Sequence, residues 1–270
     1  MSTRPSSAIG VFDSGIGGLT VVKSIRHHLP EEHIVYFGDT ARVPYGIKST
    51  ETVREYALQI TDFLLSRDVK MIVIACNTVS AAAETQVRQR ATPIPVIGVV
   101  EAGARVAAEH AGPHGSVGII GTLATVASGT YESSIHAIQP GLKVRSTACP
   151  LLVPLAEEGW LDNEVAMLTL RHYLSEFDGQ PLDALILGCT HYPLFKESIR
   201  TILPESVTII DAADAVAARV DATLRASGMR HLDGPGSLEC VVSDKPQRFQ
   251  TLAERFLGRP VDRIDVVSVA

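Results

Sequence analysis

The chain has 270 residues, 46% of them hydrophobic, enough for one large core or two of ordinary size. Its formal net charge of −6, with no segment rich in Lys and Arg, argues against a nucleic-acid footprint. No apolar run reaches the roughly 18 residues of a membrane helix. The opening "MSTRPSSAIG" lacks the apolar stretch of a secretory leader, so a soluble, cytoplasmic protein is expected.

The first apolar run, "AIGVF" at 8–12, predicts a strand, and "FDSGIGGLT" at 12–20 a glycine-rich turn into a helix. The turn is neither a phosphate loop, since GxxxxGK[ST] is absent, nor a dinucleotide fingerprint, since Gly15-x-Gly17-x-x is followed by Thr20. Asp13 at the strand tip would repel a phosphate. It suits a substrate ammonium or the acceptance of a proton, and Ser14 can donate to a carboxylate. "HIVYF" at 33–37 predicts the next strand. The polar connection "GDTARVPYGIKS" at 38–49 follows it on the ligand side, where Tyr45 and Gly46 could close over a small molecule. Val53, Tyr56, Ala57, Ile60, Phe63 and Leu64 recur at helical spacing and predict a helix over 50–67.

"MIVIA" at 71–75 predicts a buried strand with Cys76, Asn77 and Thr78 at its tip. "IPVIG" at 94–98, "SVGII" at 116–120 and "LKVRST" at 142–147 predict further strands. "VPLAEEG" at 153–159 carries Glu157 and Glu158, which on the residues alone form a solvated charge pair. "DALILG" at 183–188 ends in Cys189, Thr190 and His191, and "VTII" at 207–210 is the last predicted strand.

This alternation predicts an α/β fold with mostly parallel sheets. A faint repeat divides it. "IGVFDSG" at 9–15 resembles "VGIIGTL" at 117–123, and Asp13 precedes Cys76 by nearly the spacing at which Thr122 precedes Cys189. Two similar lobes are expected, 1–98 and 99–210, with 211–270 packing back on one of them and the site in the cleft between.

The other cysteines, Cys149 and Cys240, read as small buried hydrophobes. No CxxC pair or metal-like spacing is present, so neither structural zinc nor a disulfide is expected. Cys76 and Cys189 differ: both end apolar strands in matching contexts. Asn77, Thr78 and Thr190 are good caps for a following helix, whose N-terminal potential should lower the thiol pKa. If the lobes face each other, one thiolate can remove a proton from a tetrahedral carbon while the opposite thiol delivers one to the other face, inverting the centre.

"GVFDSGIGGLTV", "YFGDTARVPYG", "ACNT" and "LGCTHYP", in this order, resemble glutamate racemase, a cofactor-independent amino-acid racemase family of bacterial cell-wall synthesis. The resemblance spans about residues 8–225. It implies L-glutamate ⇌ D-glutamate without pyridoxal phosphate or metal, in support of peptidoglycan synthesis. By the same resemblance Cys76 removes the proton from the D-isomer and Cys189 serves the L-isomer. Asp13 would assist Cys76, and His191, with Glu157, would assist Cys189. Asp13, Ser14, Tyr45, Gly46, Asn77, Thr78, Thr122, Thr190 and His191 would bind substrate. A homodimer is expected from the family's habit, and no activation by a cell-wall precursor, since few residues precede the first strand. Three rivals stand beside this reading: an aspartate or other small amino-acid racemase, a Cys–His hydrolase with Cys189 as nucleophile, and a binding module without catalysis.

Overall fold

The computed structural model describes residues 4–261 and 263–269. The first three residues of the expected 1–98 lobe, and residues 262 and 270 of the C-terminal segment, lie outside the described residues. The first half runs β1 (Ile9–Asp13), α1 (Leu19–His28), β2 (Ile34–Gly38), α2 (Thr50–Ser66), β3 (Met71–Ile74), α3 (Asn77–Ala91), β4 (Val96–Gly98) and α4 (Val99–Ala111). The second continues with β5 (Ser116–Gly121), α5 (Leu123–Ala127), α6 (Thr130–Ile138), β6 (Lys143–Ala148), α7 (Leu152–Glu158), α8 (Glu164–Leu174), β7 (Ala184–Gly188), α9 (Lys196–Ile202) and β8 (Thr208–Ile210). The chain closes with α10 (Ala212–Ala226), β9 (Leu238–Val242), α11 (Pro246–Leu257) and β10 (Ile264–Val266).

Two sheets result, ordered β10-β9-β2-β1-β3-β4 and β6-β5-β7-β8. Every pairing is parallel, as helical crossovers between successive strands require. The central strands are buried along their whole length because helices cover both faces. Along β1, Ile9 and Val11 enter a core with α1, α10 and α11, whereas Phe12 faces the opposite core with α2 and α3. The second sheet repeats the plan. Leu185 and Leu187 pack toward α7, α8 and α9, and Ile186 toward α4 and α6.

The eight strands read from sequence are all present, and the helix read over 50–67 is α2. The α/β fold with parallel sheets is therefore observed. The sequence reading places no strand after residue 210. The structure has two, β9 and β10, which extend the first sheet: β9 pairs along β2 with Tyr36 opposite Cys240. "LECVV" and "IDV" are short and carry acids, so neither stands out as an apolar run.

Candidate active site

The carboxyl ends of the two sheets meet around a cavity of about 390 Å³. That is at the small end of the roughly 300–1,000 Å³ of small-molecule sites. Ser14, Tyr45, Gly46, Cys76, Asn77, Thr78, Thr122, Glu157, Cys189, Thr190 and His191 all line it. Part of its wall is apolar, with Val43, Ile47, Leu123 and Val153 among the lining residues, none of which has a chemical signature in sequence. Asp13, for which the resemblance implies substrate contact, is fully buried and is not among the lining residues.

Cys76 caps α3 itself, with Asn77 as the first helical residue, so the caps expected at Asn77 and Thr78 lie one and two positions inside the helix. The Cys76 Sγ is 3.6 Å from Ser14 Oγ. Cys189 follows β7 directly and begins no α-helix. A turn and a short 3-10 segment, Tyr192–Phe195, intervene before α9. Helix-dipole lowering of the thiol pKa, expected from sequence, is therefore weak at Cys189, and burial overrides it at both. Burial, reinforced by the Asp13 carboxylate, pushes the Cys76 thiol up to about 12. It raises Cys189 as well, where charge on Cys76 adds to the effect. Cys76 and Cys189 are 5% and 7% exposed.

Each thiol has polar support. His191 Nδ1 lies 3.9 Å from Cys189 Sγ, and His191 Nε2 lies 3.2 Å from Glu157 Oε1. The carboxylate accepts the Nε2 hydrogen, which leaves the Nδ1 lone pair toward the thiol. The second Glu157 oxygen accepts from Arg248 Nη2 at 3.1 Å. The His191 hydrogen bond, then Arg248, hold this carboxyl below its usual range despite burial. Glu157, a solvated residue on sequence alone, is thus part of the Cys189 assembly. Asp13 makes no hydrogen bond to Cys76. Its Oδ2 accepts from Gly15 N at 2.9 Å, and its Oδ1 accepts from Thr190 Oγ1 at 3.3 Å, on the Cys189 side. Burial raises the Asp13 carboxyl above its ordinary value, opposed chiefly by His191. A Cβ on Gly17 would stand 2.2 Å from Thr190 Oγ1 and 2.7 Å from His191 Nδ1, so only glycine lets the β1 turn approach this side.

The Thr78 and Thr122 hydroxyls, from the start of α3 and the N-cap of α5, lie 3.0 Å apart, and both lie near Thr125 Oγ1, at 3.2 and 2.9 Å. Gly46 presses on the same group, where a Cβ would meet Thr122 Cβ at 2.7 Å. Tyr45 Oη donates to Asp39, which also accepts from Arg42 Nε at 2.6 Å and Ser243 Oγ at 2.7 Å. Among the described residues lining the cavity there is no Lys or Arg. A carboxylate entering it meets hydroxyls, the Asn77 amide and the N-terminus of α3. An ammonium meets Glu157 and the thiols. Among the described residues no group of three His, Cys, Asp or Glu side chains is placed to hold a metal ion. Cys189, His191 and Glu157 alone could serve nucleophilic attack or proton transfer. The second thiol in the same cavity favours proton transfer at two faces of one carbon.

The profile of the Asp/Glu/hydantoin racemase family matches residues 9–220. A glutamate racemase of Geobacter metallireducens is 49% identical over 266 residues, covering 98% of both chains. The crystal structure of glutamate racemase from Francisella tularensis in complex with D-glutamate superposes with a TM-score of 0.93 at 40% identity, covering 98% of each chain. That of the Thermus thermophilus glutamate racemase, in complex with β-chloro-D-alanine, has a TM-score of 0.89 at 46% identity over 99% of each.

Proposed function

The chain belongs to the Asp/Glu/hydantoin racemase family, and from that premise we propose that it interconverts L- and D-glutamate by two-base proton transfer between Cys76 and Cys189. Racemases are isomerases, and that is its activity class. The observation that carries the two-base reading is one cavity lined by two buried thiols, each delivered by the tip of a different sheet.

As the substrate ammonium enters, the Cys76 thiol releases its proton to water, and the thiolate so formed removes the Cα proton of D-glutamate. The Cα–H bond breaks, an S–H bond forms, and the electron pair spreads into the α-carboxylate. Donors among Ser14, Asn77, Thr78, Thr122 and Thr190 stabilise that developing charge. The Cys189 thiol gives its proton to the opposite face, and L-glutamate leaves behind a Cys76 thiol and a Cys189 thiolate. That state is ready to run in reverse. His191, held by Glu157, takes and returns the Cys189 proton. Burial makes each thiolate a strong base, which suits a weak carbon acid, and the substrate ammonium offsets its charge as it enters.

By the family resemblance we place the product in peptidoglycan precursor synthesis, in the cytoplasm, and the working protein as a homodimer. The substrate is tested by polarimetry on the purified protein with D-glutamate or D-aspartate and no added cofactor. Decay of the glutamate rotation to zero is expected. Decay with aspartate alone would move the substrate, and no decay with either would overturn the reading.

A further inference from the structure

We propose that Tyr131 is a positioning residue: its hydroxyl fixes the Asn77 amide so that the Nδ2–H₂ group faces the cavity and donates to a substrate carboxylate. This rests on the racemase reading above and adds a residue outside the cavity wall to its machinery.

Tyr131 lies in the first turn of α6, on the second sheet's side, and is 2% exposed. Its Oη donates to Asn77 Oδ1 at 2.6 Å, across the junction of the two sheets. Asn77 opens α3 and lines the cavity beside Cys76. The hydrogen bond has a rigid frame. Tyr131 belongs to the same buried core as Val100, Ala104, Ile119 and Ile186. It also lies against Gly188, where a Cβ would meet ring Cε2 at 3.3 Å. One residue earlier, Thr130 Oγ1 donates to Ala81 O at 3.2 Å, a second tie from α6 to α3.

An asparagine amide presents a carbonyl on one side and two N–H donors on the other, and only the donors attract a carboxylate. Two orientations compete. In the first, Tyr131 donates to Oδ1 and the NH₂ turns to the cavity. In the second, the NH₂ donates to Tyr131 and the carbonyl turns to the cavity. The second leaves the phenol hydrogen without an acceptor, because among the described residues Asn77 is the only hydrogen-bond partner of this hydroxyl. Burying an unsatisfied O–H is costly, so the first orientation prevails. Burial also pushes the phenol pKa upward, which keeps it a donor throughout the neutral range.

The test is a double-mutant cycle in glutamate racemisation with Tyr131→Phe, Asn77→Ala and the pair. Tyr131→Phe keeps the ring and removes only the hydroxyl. In the wild-type background it should lower kcat/KM about tenfold, mainly through a higher KM, as for a weakened hydrogen bond to a charged group. In the Asn77→Ala background it should change nothing further. Unaltered kinetics in Tyr131→Phe would overturn the proposal. So would an equal loss in both backgrounds, which is what a packing or folding defect produces. Absence of racemisation by the wild-type protein would instead refute the parent reading.

Discussion

Cys76 and Cys189 stand where sequence reasoning places a reactive thiol, at the ends of parallel strands, yet burial holds both as neutral thiols in the folded chain. Their position was legible because the strand-tip rule is topological. Their protonation was not, because it depends on how completely the two sheets close over them. Cys149 and Cys240, read from sequence as plain hydrophobes, are buried and are pushed up to about 12 as well. All four thiols thus have folded pKa values above the ~8.5 of an unfolded cysteine. Below that value both states are protonated and the contribution to stability is fully present. Above it the unfolded chain releases protons that the folded chain keeps, and stability falls by about 1.4 kcal/mol per pH unit for each thiol until the folded pKa is reached. The urea midpoint should therefore drop clearly between about pH 7.5 and pH 10. An unchanged midpoint would contradict the assignment.

At the scale of elements, the C-terminal helix α11 was the least legible part of the site. It belongs to the segment without a recognised signature, and it acts through contacts that join residues far apart in the chain. Arg255 Nη1 donates to the carbonyls of Ala156 and Glu157, at 3.0 and 2.6 Å, at the C-terminus of α7, where a cation suits the helix dipole; Ala156 O also accepts from Gly159 N at 3.1 Å. Arg248 holds the Glu157 side chain, and the Phe256 ring meets the His191 ring at 5.1 Å. No periodicity within α7 or α11 encodes this pairing, which is why Glu157 reads as solvated until the fold is seen. Arg255 is exposed, so its hydrogen bonds are discounted for solvent. Arg255→Ala should cost about 1 kcal/mol, a loss of roughly 2–4 °C in a thermal melt. It should also lower kcat, as Glu157 drifts from His191. A wild-type melt and wild-type turnover would show that α11 does not hold α7.

At the scale of the whole molecule, two parallel sheets bring their carboxyl ends together, and the site exists only where they meet. Asp13 and Thr190, Thr78 and Thr122, and Asn77 and Tyr131 each pair one residue from either side of that junction. The weak repeat between residues 9–15 and 117–123 made two matching strand tips legible. The side chains that cross between them were not, because each half carries only one partner of every pair. The central claim is that protons leave and arrive on opposite faces of one carbon through these two thiols. It is tested most directly by incubating D-glutamate in D₂O with wild-type protein, Cys76→Ser and Cys189→Ser, following Cα–H by NMR and the enantiomers by chromatography. The account predicts L-glutamate carrying deuterium at Cα from the first turnovers, with the remaining D-glutamate still unlabelled. It also predicts a loss of racemisation of about a hundredfold or more in each variant. Inversion without deuterium at Cα, or either variant racemising at the wild-type rate, would contradict it.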